Sequence, residues 1–174
     1  DTYNAPRLGR ASDLANGWGE SGWKSSYDIV FLANTILENA SRADMPKDRL
    51  NFWMGQASFT KGLAYFELAR TFGDAVITRN STSLEKYGRK PMLEVIDTAI
   101  VNAVKAYNLL PLFENLKDLS GAAITSKQYA CKGAAVALLA HLYAWRGSVI
   151  ELYGLEGDAP ADYQKSIDYC TLIL

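Results

Sequence analysis

Gly17-Trp18-Gly19-Glu20-Ser21-Gly22 spells G-x-G-x-x-G. In a dinucleotide site this spacing lets phosphate meet backbone N–H groups at a helix N-terminus, and it requires a strand just before the first glycine. The residues before Gly17 are polar and aperiodic, and Trp18 and Glu20 crowd the turn, so nucleotide binding is set aside. The same stretch suits a sugar better. Pyranose rings expose flat C–H faces that stack on indole, and their hydroxyls need planar polar partners. Trp18 and Trp23 offer faces, while Arg10, Asp13, Asn16 and Glu20 offer hydrogen bonds. Trp18, between two glycines, is the better binding candidate. Trp23 serves either as a second face or as the first core residue of the helix it opens.

Other chemistry is poorly provided for. His141 is the only histidine and lies beside Ala140 and Leu142 in an apolar helical stretch. It reads as a core or interhelical residue; a Ser/His/Asp or Cys/His set would have to run through it. One histidine with Cys131 and Cys170 does not assemble a standard zinc site. Both cysteines read as buried free thiols, with a disulfide open if the helices bring them together. Asp13, Glu20 and Asp28 are near in sequence, but nothing places two of them across a cleft for glycoside hydrolysis. The chain therefore reads as a non-enzyme with no cofactor and no metal. Asn39-Ala40-Ser41 and Asn80-Ser81-Thr82 match the glycosylation tripeptide, a pattern frequent by chance.

The elements that must position these residues are helices. Residues 1–22 read as a loop. Tyr27, Val30, Phe31, Asn34, Ile36 and Leu37 then follow helical spacing over about 23–40. Asn34 faces the apolar side and is expected to bond a neighbouring backbone. Pro46 suits the first turn of a second helix, whose stripe runs Leu50, Trp53, Ala57, Ala64, Tyr65, Leu68 and Phe72, with Gly73 as its stop. After a connection over 73–90, in which Ala75-Val76-Ile77-Thr78 is too short for a stable strand, a third helix starts near Pro91 and stops at Leu110-Pro111. Thr125 or Ser126 caps a fourth, carried through Trp145 and ended by Gly147. Trp53 and Trp145 read as core; Tyr153 and Tyr163 border a loop and read as capping contacts. Asp158-Ala159-Pro160 starts a fifth helix, 160–174.

Two helix pairs, 23–72 and 91–147, look alike. Lys61-Gly62-Leu63-Ala64 aligns with Lys132-Gly133-Ala134-Ala135 at a separation of 71 residues. The same separation pairs Leu68 with Leu139, Ala69 with Ala140, Phe72 with Tyr143, Ile29 with Ile100 and Val30 with Val101. Each pair has an apolar face it cannot bury alone, so stacking is the physical solution, as in tetratricopeptide-like arrays. The fold class is thus all-α, a single domain over 1–174 of stacked antiparallel helix pairs, with 160–174 beginning a third pair. Composition agrees: 49% hydrophobic residues supply a core, 21% are charged, and the net charge of -1 offers no basic stripe to nucleic acid. No uninterrupted apolar run reaches the ~20 residues of a membrane helix.

The ordered set of residues resembles the SusD/RagB family of outer-membrane nutrient-binding lipoproteins. Trp23, Tyr27, Ile29 and Asn34 resemble its aromatic-led first helix. Ala57, Ala64-Tyr65-Phe66-Glu67-Leu68 and Phe72-Gly73-Asp74 resemble a helix ending in an aromatic-Gly-Asp turn. Arg89, Glu94 and Leu110-Pro111 match the next helix. Thr125, Lys127, Ala134-Ala135, Leu138-Leu139-Ala140 and Tyr143 match the Ala-rich one after it, and Tyr163, Ile167 and Leu172-Ile173 the last. Lys61-Gly62 departs, since the family commonly has Arg-Ala there. Members are much longer, with a lipidated N-terminal cysteine, so the chain resembles a piece of such a protein. The resemblance implies a lipid-anchored protein on the cell-surface side of the bacterial outer membrane. It would bind an oligosaccharide or polysaccharide, or in some members peptides, and deliver it to a TonB-dependent (SusC-like) transporter without catalysis. It also implies ligand-site aromatics on loops before the first repeat helix, where Trp18 and Trp23 stand.

A second reading is a helical-repeat adaptor gripping peptide or protein segments in its groove. Such grooves often carry Lys, Arg and Asn, but Arg42, Arg49, Lys61, Arg70 and Lys132 show no shared stripe. A third, a glycosidase, lacks an acid/base pair.

Overall fold

The computed structural model describes residues 19–83, 85–118 and 120–173. Five α-helices follow in order: α1 Gly19–Asn39, α2 Lys47–Phe72, α3 Met92–Leu109, α4 Lys132–Tyr153 and α5 Ala159–Thr171. Each packs mainly on the helix next to it in sequence, which makes the stacked array expected from the two helix pairs. Ala75–Val76 and Arg89–Lys90 form one small antiparallel pair, so the short apolar run after Gly73 is a two-residue strand after all.

Burial follows from position in the stack. α2 lies between α1 and α3 and buries residues around much of its circumference, from Phe52 and Ala57 to Tyr65, Phe66 and Leu68. α1 has α2 as its principal neighbour and can bury only one face. Val30, Ala33 and Asn34 are buried there, while Ile29, Phe31, Leu32 and Ile36 are exposed, so the expected stripe through Phe31 and Ile36 is displaced. Asn34 donates to the Thr78 hydroxyl at 3.4 Å, a side chain and not the backbone expected for it.

The connections are held by specific bonds. Gly73 ends α2 at φ 72°, a left-handed turn that costs glycine little. The Asp74 carboxylate then accepts from the Met92 N–H at 3.0 Å, capping α3 from eighteen residues upstream. The Tyr27 hydroxyl accepts from Val76 N at 2.7 Å and donates to Val76 O at 2.9 Å. Tyr65 accepts from Thr78 N at 3.1 Å.

Several boundaries move. α1 begins at Gly19, inside the expected loop 1–22. α4 does not start at Thr125 or Ser126. Gln56 binds the backbone of Ala130 through two bonds of 2.7 and 3.0 Å, and Lys132 N donates to Pro111 O at 2.8 Å. These contacts hold the segment out of helix until Lys132. Nor does Gly147 end α4: it is buried mid-helix where α5 crosses, and a Cβ there would stand 2.8 Å from the Tyr163 ring and 3.2 Å from the Ala159 carbonyl. The stop is Gly154, left-handed at φ 61°. α5 is capped by Asp158, which accepts from Ala161 N at 3.0 Å.

The repeat register also needs correction. Gly62 is buried against α3, its absent Cβ 3.1 Å from the Ala99 carbonyl and 3.2 Å from the Ala103 nitrogen, whereas Gly133 is exposed and approached only by the Cys131 sulfur. The structural counterpart of Gly62 is Gly147, each lying where a second helix meets the next pair. Lys47 and Lys132, the helix starts, are separated in sequence by the same distance as these glycines. Val30 is buried and Val101 exposed, Ile100 buried and Ile29 exposed, so the single separation fails in the first helices as well. The stack stands; its period differs because the 110–131 connection is longer than that at 40–46.

α4 is also long and apolar enough to cross a membrane by length and composition, unlike the expectation from uninterrupted runs. It packs between α3 and α5, with half of that span buried.

Candidate functional site

A cleft of about 390 Å³ lies at the N-terminal end of α2. Arg49, Phe52 and Trp53 reach it from the first two turns of that helix, at i, i+3 and i+4, which puts them on one face. Tyr129 enters from the segment before α4. The three rings form a cluster: Phe52–Trp53 at 5.0 Å, Phe52–Tyr129 at 5.8 Å and Trp53–Tyr129 at 6.5 Å between centroids, all steeply inclined. The Arg49 guanidinium lies 5.7 Å from the Phe52 ring and 6.0 Å from that of Trp53, and donates to the carbonyls of Lys117 at 2.9 Å and Asp118 at 3.3 Å. It thereby ties the outer wall to α2.

That wall is a tight loop. Ile124 N bonds Leu116 O at 3.0 Å and Asp118 N bonds Ala122 O at 2.9 Å, anchored by the buried Leu116. The Asp118 Oδ1 accepts from Ser120 N, Ser120 Oγ and Ala122 N at 2.8, 2.7 and 3.0 Å. The Ser120 hydroxyl, aided by backbone N–H groups, holds this carboxyl below the usual carboxylate range, so it stays ionised. No described residue bonds its Oδ2. The cleft thus joins flat aromatic surface to an ionised acceptor in its lining, a combination suited to a hydroxylated ring.

The structure describes only one of the sequence-derived site side chains, that of Trp23. Arg10, Asn16 and Trp18 lie outside the described residues, as does the side chain of Glu20, whose backbone belongs to the first turn of α1. Trp23 is packed: its ring meets Phe72 at 5.0 Å and 89°, Tyr27 at 5.0 Å, and carries the Arg89 guanidinium at 5.1 Å. Its partner Phe72 marks the far end of α2, about 29 Å from Trp53 by helix rise, so Trp23 and the aromatic cleft are not one site. Trp53 is half-buried and packs against the buried cluster around Phe52 and Leu110, as a core residue would, while Trp145 is exposed and is not the core residue expected. His141 is exposed as well, on the outer face of α4. Cys131 is half-buried and Cys170 exposed, both free. Tyr153 is exposed, whereas Tyr163 donates to Glu151 at 2.8 Å. Among the described residues no group of His, Cys, Asp and Glu could hold a metal.

The cleft was hard to foresee. Arg49, Phe52 and Trp53 have the spacing of any core stripe, and Tyr129 sits in an aperiodic segment. The basic residues behave singly: Arg70 pairs with Glu67, Lys132 lies over Tyr107, Arg42 bonds Asn39.

A stacked array of antiparallel helices carrying an aromatic cleft defines a helical-repeat protein in outline. The profile of the SusD-like family, described as starch-binding and associating with the outer membrane, matches residues 10–144; the chain belongs to this family. No curated protein matches it. Among solved structures, a SusD-like carbohydrate-binding protein from Bacteroides fragilis aligns with a TM-score of 0.72 at 18% identity, over 91% of this chain and 27% of that one. A laminarin-binding SusD-like protein aligns at 0.63 and 19%, over 74% and 27%. A protein solved with xylogluco-oligosaccharide aligns at 0.71 and 18%, over 93% and 29%. At these identities the likeness is one of fold, and the chain spans somewhat over a quarter of these relatives' length.

Proposed function

We propose that this chain is the helical-repeat part of a lipid-anchored cell-surface protein that captures glycans and passes them, chemically unchanged, to a TonB-dependent SusC-like transporter of the outer membrane. Membership of a family described as starch-binding supports the ligand class, and so does the similarity in fold to proteins associated with laminarin and xylogluco-oligosaccharide. The observation that carries the reading for this chain is the cleft itself, where Trp53 and Tyr129 stand beside the ionised Asp118. Arg10, Asn16 and Trp18, with Glu20 in the first turn of α1, are proposed as a second contact region. The peptide-adaptor alternative gains little from the basic residues, of which Arg42, Arg49, Arg70 and Lys132 are engaged locally.

Calorimetric titration of the full-length protein against starch, laminarin and xyloglucan oligosaccharides tests this. At least one is expected to bind, and Trp53→Ala is expected to weaken it by roughly thirtyfold, the ~2 kcal/mol of a central aromatic contact. Binding unchanged in Trp53→Ala, with the fold intact by circular dichroism, removes the cleft from the ligand path.

A further inference from the structure

A second opening lies along the same two helices. α2 and α4 run side by side in parallel: Gln56 is bonded to Ala130 near one end, and the Phe66 and Trp145 rings sit 6.2 Å apart near the other. In this far half two adjoining cavities of about 200 and 450 Å³ share Arg70, Trp145 and Ser148. Trp145 is 39% exposed, with its indole open to solvent beside Arg70 and Ser148. Arg70 is fixed against the Phe66 ring at 5.0 Å and to Glu67 at 3.1 Å. Flat aromatic surface flanked by a guanidinium and a hydroxyl is the chemistry already met at Trp53. From Trp53 to Arg70, α2 rises about 25 Å, and the intervening outer positions Thr60, Leu63, Ala137 and His141 are exposed. The apolar patch on α1, Ile29, Phe31, Leu32 and Ile36, differs in kind, since it pairs no polar group with a flat ring.

We propose that the valley between α2 and α4 holds one extended oligosaccharide at two stations, the Trp53–Tyr129 cleft and Trp145, so that the protein reads chain length and not a single ring. The span is too long for a disaccharide. A peptide is the less suitable occupant: it needs free backbone donors and acceptors along its path, and the main chains of both helices are internally bonded. This rests on the glycan reading of the cleft.

The test uses the full-length protein, with maltose and maltohexaose, laminaribiose and laminarihexaose as probes, and compares wild type, Trp53→Ala, Trp145→Ala and Trp145→Phe by titration. The hexasaccharide of the bound series is expected to bind at least about tenfold tighter than its disaccharide. Trp145→Ala should abolish that advantage and leave disaccharide affinity unchanged, while Trp145→Phe, which keeps a flat ring, should retain most of it. Trp53→Ala should weaken both lengths. Wild-type hexasaccharide affinity in Trp145→Ala, with Trp53→Ala still weakened, overturns the two-station proposal and leaves the cleft standing. Wild-type affinity in Trp53→Ala removes the cleft and the two-station proposal together. A Trp145→Ala protein that loses retention of a casein-derived peptide mixture but keeps its glycan titration shows that the valley serves another ligand.

Discussion

Arg146 joins three helices. From α4 its Nε reaches Asp97 on α3 at 2.7 Å and its Nη1 reaches Asp162 on α5 at 2.5 Å. Burial works against the guanidinium's charge, and the hydrogen bonds to Asp97 and Asp162 outweigh it, raising its pKa. The two arms differ in setting: the Asp162 side chain is 4% exposed and that of Asp97 51%. Arg146→Met removes the cation and leaves a buried carboxylate unpaired. Breaking such a pair costs about 3–5 kcal/mol, and the lower bound applies because the arginine is 23% exposed and water can enter. For a chain of this size about 3 kcal/mol lowers Tm by roughly 6–12 °C. Asp97→Asn, which touches only the solvated arm, should cost under about 1 kcal/mol. Arg146→Met with Asp162→Leu should recover most of the loss, because a packed apolar pair replaces a buried ion pair at little net cost. Differential scanning calorimetry at neutral pH reads all four proteins. Equal small losses from Arg146→Met and Asp97→Asn, or a double variant no better than Arg146→Met, would refute the assignment of the energy to the buried arm.

Gly147→Val should push α5 away from α4, costing about 1–3 kcal/mol; amide exchange should rise in α5 first, and unaltered protection there counts against the close crossing. The Tyr27 phenol is pushed up to about 12, chiefly by burial, with the Val76 hydrogen bond pulling the other way. A raised pKa contributes stability that is whole below the ordinary tyrosine value of about 10 and is lost as pH climbs toward 12. Thermal scans should therefore fall through that window, less steeply in Tyr27→Phe, and a parallel fall in both proteins excludes Tyr27 as a source. Trp18→Ala should weaken glycan binding by the full-length protein without unfolding it; an unchanged titration removes Trp18 from the site.

Much of this molecule is written locally. Helical spacing over 23–40, 46–72 and 91–110, the prolines that open α2 and α3, and the glycine after Phe72 specify where those helices lie, because each signal acts within a turn or two of its own position. The need to stack is equally local in origin, since a helix pair with an apolar face cannot bury it alone. The family resemblance rests on that same ordered set. Distance in sequence is what hid the rest. Gly147 looks like a helix stop until α5 is placed across it, and Gly133 looks like the partner of Gly62 until one sees that no other helix approaches it, only the neighbouring Cys131 sulfur. Thr125 and Ser126 have good capping side chains, yet Gln56 and Pro111 hold the chain extended past them. Trp53 and Tyr129 are joined because Gln56 ties Ala130, seventy-four residues on, to α2, and Trp23 is packed because Phe72 and Arg89 arrive from dozens of residues away. Backbone preference is fixed by neighbours along the chain; which side chains stay open to a ligand is fixed by which helix ends up beside which.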